Sequence, residues 1–138
     1  MLKKLLSKIQ EEKIISEKIF ENLDADSFLE LRDEEEFDKE WMRVYNFILG
    51  KKIEHEAKME IDIIREEIYM KAYKFSNSSD IAACISDDFE MICNAYILDV
   101  NDDWLNAMID SYANNTLPCG RLDLKKGDIN ILLKNLLS

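Results

Sequence analysis

Positive charge is missing from the middle of this chain. Between Phe75 and Gly120 there is no lysine and no arginine. Histidine is scarce as well: His55 is the only one. A Glu-x-x-His pair fails because position 52 is lysine, and His-Glu-x-x-His fails because position 59 is methionine. Glycine occurs three times and proline once, as Pro118. So few turn formers argue against a protein of many short strands. Gly50, Gly120 and Gly127 spell no phosphate-binding loop. The three cysteines, Cys84, Cys93 and Cys119, form no C-x-x-C pair and are odd in number. No apolar run approaches the ~18–20 residues of a membrane span. The opening Met1-Leu2-Lys3-Lys4-Leu5-Leu6-Ser7-Lys8 carries the charge of a secretory leader, but Gln10-Glu11-Glu12-Lys13 cuts off any apolar stretch. Reduced thiols without a leader predict a cytoplasmic protein.

What the chain does contain is apolar residues and acid. At 138 residues and 47% hydrophobic it is too apolar for a disordered tail and long enough for a core. One domain spanning 1–138 is expected. The base-free stretch holds eight acids: Asp80, Asp87, Asp88, Glu90, Asp99, Asp102, Asp103 and Asp110. A second acidic stretch runs from Asp24 to Glu40. Together the two carry −15 and the rest of the chain +4, giving a net charge of −11. Such a field repels nucleic acid and anionic membrane and attracts a basic surface.

The dominant period is helical. Ile53, Ala57, Ile61, Ile64, Ile68, Ala72 and Phe75 advance by threes and fours, predicting a helix from about Lys51 to Lys74 with Ser76-Asn77-Ser78-Ser79 as its exit. Phe37, Trp41, Val44 and Ile48 predict one that begins near Asp33, where consecutive acids suit the positive end of the helix dipole, and stops at Gly50. Residues 2–23 read as helical, with a break in the stripe at Glu12-Lys13. Ile81, Ile85, Phe89, Ile92 and Tyr96 form one stripe with two possible starts. Ser79 could cap a single helix to Asp99, or Ser86 could cap a second helix after a break. Asn101 or Asp102 caps a helix through Tyr112, and Asp128 caps a last one carrying Leu132, Leu133 and Leu136. Leu117–Lys126 leaves room for a short extended piece. The expected fold is therefore all-α, a single bundle-like domain of five to seven helices.

Catalytic chemistry finds little support. Cys84 and Cys93, nine positions apart, point away from each other on one helix and cannot share a metal. A Cys–His nucleophile would have to use His55, and no spacing suggests it. The enzyme alternative is a magnesium-dependent all-α nucleotide pyrophosphohydrolase, which holds its metal with carboxylates on facing helices. Its nearest spellings here are Asp33-x-x-Glu36, Glu35-x-x-Asp38 and Asp87-x-x-Glu90, matches that chance supplies in so acidic a chain. The lysines of the first helix alternate with Glu11, Glu12, Glu17 and Glu21, a solvated face and not a basic arm. Along a single helix over 79–99, Asp80, Asp87, Glu90 and Asn94 lie opposite the apolar stripe. Asp88 falls at its edge, either beside a cap or as a partly buried carboxylate with a specific partner. The acids have no bases interleaved to relieve their repulsion. Phe89, Tyr96, Trp104 and Tyr112 among them fall on apolar stripes, so core packing accounts for them more simply than an interface does.

The run Ile85-Ser86-Asp87-Asp88-Phe89-Glu90-Met91-Ile92, followed by Asp102-Asp103-Trp104-Leu105-Asn106, Tyr112 and Leu117-Pro118, resembles a pattern in small bacterial immunity proteins. These serve polymorphic-toxin and contact-dependent growth-inhibition systems. The resemblance spans Asp80 to Gly120. It implies a stoichiometric inhibitor without catalytic activity or cofactor, which binds the toxin domain of its own system. Many such toxins are nucleases with basic clefts. The expected partner is thus a toxin domain with a basic surface, and neither nucleic acid nor membrane. The residues expected to attract it are Asp87, Glu90, Asp102 and Asp103, with Asp33, Glu34, Glu35 and Glu36 as a second patch. Nothing in the chain gives the oligomeric state.

Overall fold

The computed structural model describes residues 1–138. Seven α-helices and one 3-10 helix follow in order: α1 Leu2–Gln10, the 3-10 helix Glu17–Phe20, α2 Ala25–Asp33, α3 Glu35–Ile48, α4 His55–Ser76, α5 Ser79–Ile97, α6 Asp103–Ala113 and α7 Ile129–Leu136. There are no strands, so the all-α expectation holds. Residues 117–126 are irregular and contain no extended pair.

The antiparallel pair α4–α5 is the centre of the molecule. The five-member stripe on α5 has its first four residues, Ile81, Ile85, Phe89 and Ile92, fully buried. They face Ile61, Ile64, Ile68 and Ala72 of α4, which are also buried. α1 covers α4, and α7 closes over α6. One cluster of 34 buried apolar residues takes members from every α-helix.

Helix limits follow local chemistry. The break in the first stripe is real. α1 stops at Gln10, and Glu12 takes a left-handed φ of 58°. This places the Glu12 carboxylate on Lys71 (3.2 Å) and Lys74 (2.8 Å) of α4. α4 begins four residues later than predicted, at His55, because Lys51–Glu54 is an extended entry anchored by buried Ile53. Asn77, at φ 54°, ends it. α5 is a single helix. Its cap is Ser78, whose hydroxyl accepts from the Ile81 amide at 3.2 Å, one residue before the expected Ser79. Ser86 starts nothing: it is buried and its hydroxyl donates to the Arg65 carbonyl of α4 at 3.0 Å. Asp102 and Asp128 cap α6 and α7 as read.

The periodicity assigns no helix to residues 24–32, yet α2 lies there. Asp24 caps it, accepting from the Ser27 amide at 3.0 Å. It buries only Phe28 and Arg32 completely, too few residues to write a stripe.

Candidate partner-binding surface

The acids of this protein divide into a buried centre, a paired set and an unpaired edge. At the centre is Asp88, with no exposed surface. Its Oδ1 accepts from Arg32 Nη2 at 2.8 Å and from Trp41 Nε1 at 2.9 Å. Its Oδ2 accepts from Arg32 Nη1 at 2.8 Å and from the Tyr112 hydroxyl at 2.6 Å. Arg32 Nη1 also donates to the Pro118 carbonyl at 3.1 Å. The guanidinium lies over the ring of Phe37, 4.2 Å from its centroid. One carboxylate therefore ties α2, α3, α5 and α6 together, and its cation reaches the loop after α6. Burial opposes the charge on Arg32, but the field of Asp88 and its hydrogen bonds outweigh this and raise the pKa. Burial, reinforced by the negative charge of Asp88, holds the Tyr112 phenol well above its ordinary value. Of the two roles open to Asp88 in the sequence, the buried carboxylate with a specific partner is the one it has.

The paired set includes three residues expected to attract a partner. Asp87 and Glu90 are not free on the outer face of α5. Arg65 of α4 grips both, Asp87 Oδ1 at 2.8 Å through Nη2 and Glu90 Oε2 through Nη1. Asp102 accepts from the amides of Trp104 and Leu105 at 3.0 Å each and is forked by Arg43 of α3, with the shorter bond at 2.7 Å. Burial alone would raise its pKa, but Arg43 and the two amides lower it. The expectation that nothing relieves repulsion in the base-free run is thereby corrected. The relief comes across helices, from Arg32, Arg43 and Arg65, none of which lies in that run. Sequence spacing within one helix could not show it.

The unpaired edge is the α2–α3 junction. Asp33, Glu34, Glu35 and Glu36 are all exposed, and none takes part in an ion pair. Asp103 is half-buried and likewise without an ion pair. The Cys84 thiol links the regions: burial raises its pKa against the pull of Arg32, and Asp88, Asp87 and Asp33 all add to the rise. The end of α2 packs against α5 through the Arg32–Asp88 pair, so the acids of the two helices lie on neighbouring elements.

Between α3, α4 and α5 runs a groove of ≈ 550 Å³. Trp41 and Tyr45 stack on one wall with centroids 5.4 Å apart, and Asp87 and Glu90 line another. The aromatics inside the base-free run belong to the core instead: Phe89, Trp104 and Tyr112 are buried, and only Tyr96 is partly open.

The carboxylate cage needed by the pyrophosphohydrolase alternative does not form. No group of three or more His, Cys, Asp or Glu side chains is placed to hold a metal ion. His55 is exposed at the start of α4. Burial, with Glu90 nearby, pushes the Cys93 thiol up to about 12, which suits a small packing residue and not a nucleophile. No helix is long and apolar enough to cross a membrane.

Residues 4–119 match the family described as Immunity protein PIM1. The chain belongs to this family. No curated protein matches it. In this PIM1-family chain the residues that carried the resemblance are chiefly builders of the fold. Asp88, Tyr112 and Pro118 meet at Arg32, and Phe89 packs on Tyr112 with centroids 4.8 Å apart. Asp102 caps α6, and the Asn106 amide donates to the Gly127 carbonyl at 2.9 Å. The residue missed in the sequence is Arg32. Its signal was present: it is one of two bases in the 24–40 acidic stretch and falls between apolar residues at 31 and 37.

Proposed function

We propose that this protein is the immunity component of a polymorphic-toxin, contact-dependent growth-inhibition system. It acts in the cytoplasm as a stoichiometric inhibitor without catalytic activity. Its partner is the toxin domain of the same system, a nuclease with a basic substrate cleft, which it neutralises through its acidic surface. Membership of the immunity-protein family supports the inhibitor role. The observation that carries the acidic-surface reading is the α2–α3 edge, where Asp33, Glu34, Glu35 and Glu36 stand exposed with no basic partner in the chain. Opposite fields raise encounter rates toward 10⁸–10⁹ M⁻¹s⁻¹, about the diffusion ceiling, at low salt, and an inhibitor must reach a toxin before it acts. Asp103 adds to this field. Asp87, Glu90 and Asp102, already engaged by arginines, add less.

The test uses the full chain and the C-terminal domain of the secreted protein encoded beside it. Mixed at equal concentration, the two should form a one-to-one complex in which nuclease activity is lost. A toxin domain that stays active and elutes alone would overturn the reading.

A further inference from the structure

Charges at a rim change the rate of encounter more than the lifetime of a complex. A tight inhibitor also needs an apolar anchor, and interface anchors favour aromatic and methionine side chains in concave sites. Two apolar surfaces stand out. One is the outer face of α4, with Met59, Ile63 and Met70 exposed, but Glu66 and Glu67 interrupt it. The other is the α3–α4–α5 groove. Met42 and Leu49, 38% and 61% exposed, form its lip, and the almost fully buried Met91 contributes to its lining along with the stacked Trp41 and Tyr45.

The polar lining of the groove is arranged as well. Arg65 engages one oxygen of Asp87 and one of Glu90. Asp87 Oδ2 and Glu90 Oε1 accept nothing from the chain, and the nearby Asp62 carboxylate has no ion pair. Two lysines also line the groove, both from the α3–α4 side. Lys51 lies 4.6 Å from the centroid of the Phe47 ring, which is outside the lining, and Lys58 sits one turn before Asp62. The acids therefore come from α4 and α5, while Lys51 lies in the α3–α4 connection and Lys58 on the first turn of α4.

We propose that this groove seats the anchor of the toxin domain. An apolar side chain enters against the lining that includes Trp41, Tyr45 and Met91, and an adjacent lysine or arginine takes the free oxygens of Asp87 and Glu90. Arg65 is then a positioning residue: it fixes two carboxylates while leaving half of each for the partner. A second copy of this chain fits poorly, because each would bring a charge of −11. This inference rests on the reading that the chain binds a basic toxin domain.

The chain's methionines make the test direct. Methyl-¹³C methionine labelling places Met42 and Met91 in the groove, Met59 and Met70 on the outer face of α4, and Met108 in the core. With the neighbouring-frame toxin domain added, the Met42 and Met91 signals should shift and those of Met59, Met70 and Met108 should stay. Met42→Glu and Leu49→Glu, both at exposed positions, should each weaken affinity by about tenfold or more, with Met59→Glu as the unaffected control. Shifts confined to Met59 and Met70, or wild-type affinity in both groove variants, would overturn the anchor while leaving the inhibitor role standing. Shifts that appear on concentrating the chain alone would assign the groove to a second copy and also overturn it. Failure of the unmodified chain to bind would remove the functional reading and the anchor together.

Discussion

Arg32 and Asp33 are adjacent in the chain and have opposite surroundings. Arg32 turns inward and meets Asp88 in a site closed to solvent, where every oxygen of the carboxylate is engaged. Asp33 turns outward and begins an edge of four acids that engage nothing. An aspartate stands in each region, and the surroundings decide its role. A charge taken out of water must be matched in full, so the interior cluster is specific and fragile. A charge left in water is nearly neutral for stability, so the edge can serve long-range attraction without weakening the fold.

The largest effect should come from breaking the interior. Asp88→Ala leaves the Arg32 cation buried alone and orphans the Trp41 and Tyr112 donors. It should lower stability by about 3–5 kcal/mol in urea unfolding. Arg32→Met combined with Asp88→Leu should lose less than Asp88→Ala alone, since no uncompensated charge remains. A loss under ~1 kcal/mol from Asp88→Ala, the size of a surface pair, would erase the contrast between the regions.

Tyr112→Phe should cost about 1.5–3 kcal/mol, the range for a hydrogen bond to a charged group. It also has a pH signature. The folded pKa is raised above the ordinary value of 10.0, so the phenol's contribution is complete below that pH and declines as pH rises toward the folded value. The alkaline loss of stability should be smaller in the Phe variant, as read by thermal melts across that range.

Asp102→Ala, on the boundary between the two regions, should cost about 1 kcal/mol as a lost helix cap. Its pKa is lowered, so its contribution is complete above 3.8 and fades as pH falls through the folded value. Acid titration of Asp102→Asn against the parent, followed by circular dichroism, would show that fading absent. The smallest stability effects belong to the edge. Glu34→Gln, Glu35→Gln and Glu36→Gln should each stay within about 0.5 kcal/mol, because relief of mutual repulsion opposes loss of a favourable helix-dipole contact.

The division explains what was legible in the sequence. Apolar steps of three and four name α3, α4, α5 and α6 because those helices bury one continuous face. They are silent on α2, whose two buried side chains are a phenylalanine and an arginine. Local caps such as Asp102 and Asp128 read correctly since the bond they make is two or three residues away. Arg65 on Asp87 and Arg43 on Asp102 could not be read, because the partners are 22 and 59 positions apart. For the same reason three of the four acids expected to be most available, Asp87, Glu90 and Asp102, proved engaged, and those placed second, Asp33 to Glu36, are left open with Asp103. Ser86 shows the limit of cap chemistry: a serine followed by acids writes the start of a helix, and a carbonyl on the facing helix overrides it.

The central claim is that the open edge attracts the partner while the enclosed Asp88 cluster holds the fold. Its most direct test is the association rate of the chain with its neighbouring-frame toxin domain, measured against ionic strength. The account predicts a rate that falls steeply with salt, and a clearly shallower slope in the combined Glu34→Gln, Glu35→Gln, Glu36→Gln variant at unchanged melting temperature. A salt response that is flat, or identical in the two proteins, would contradict it.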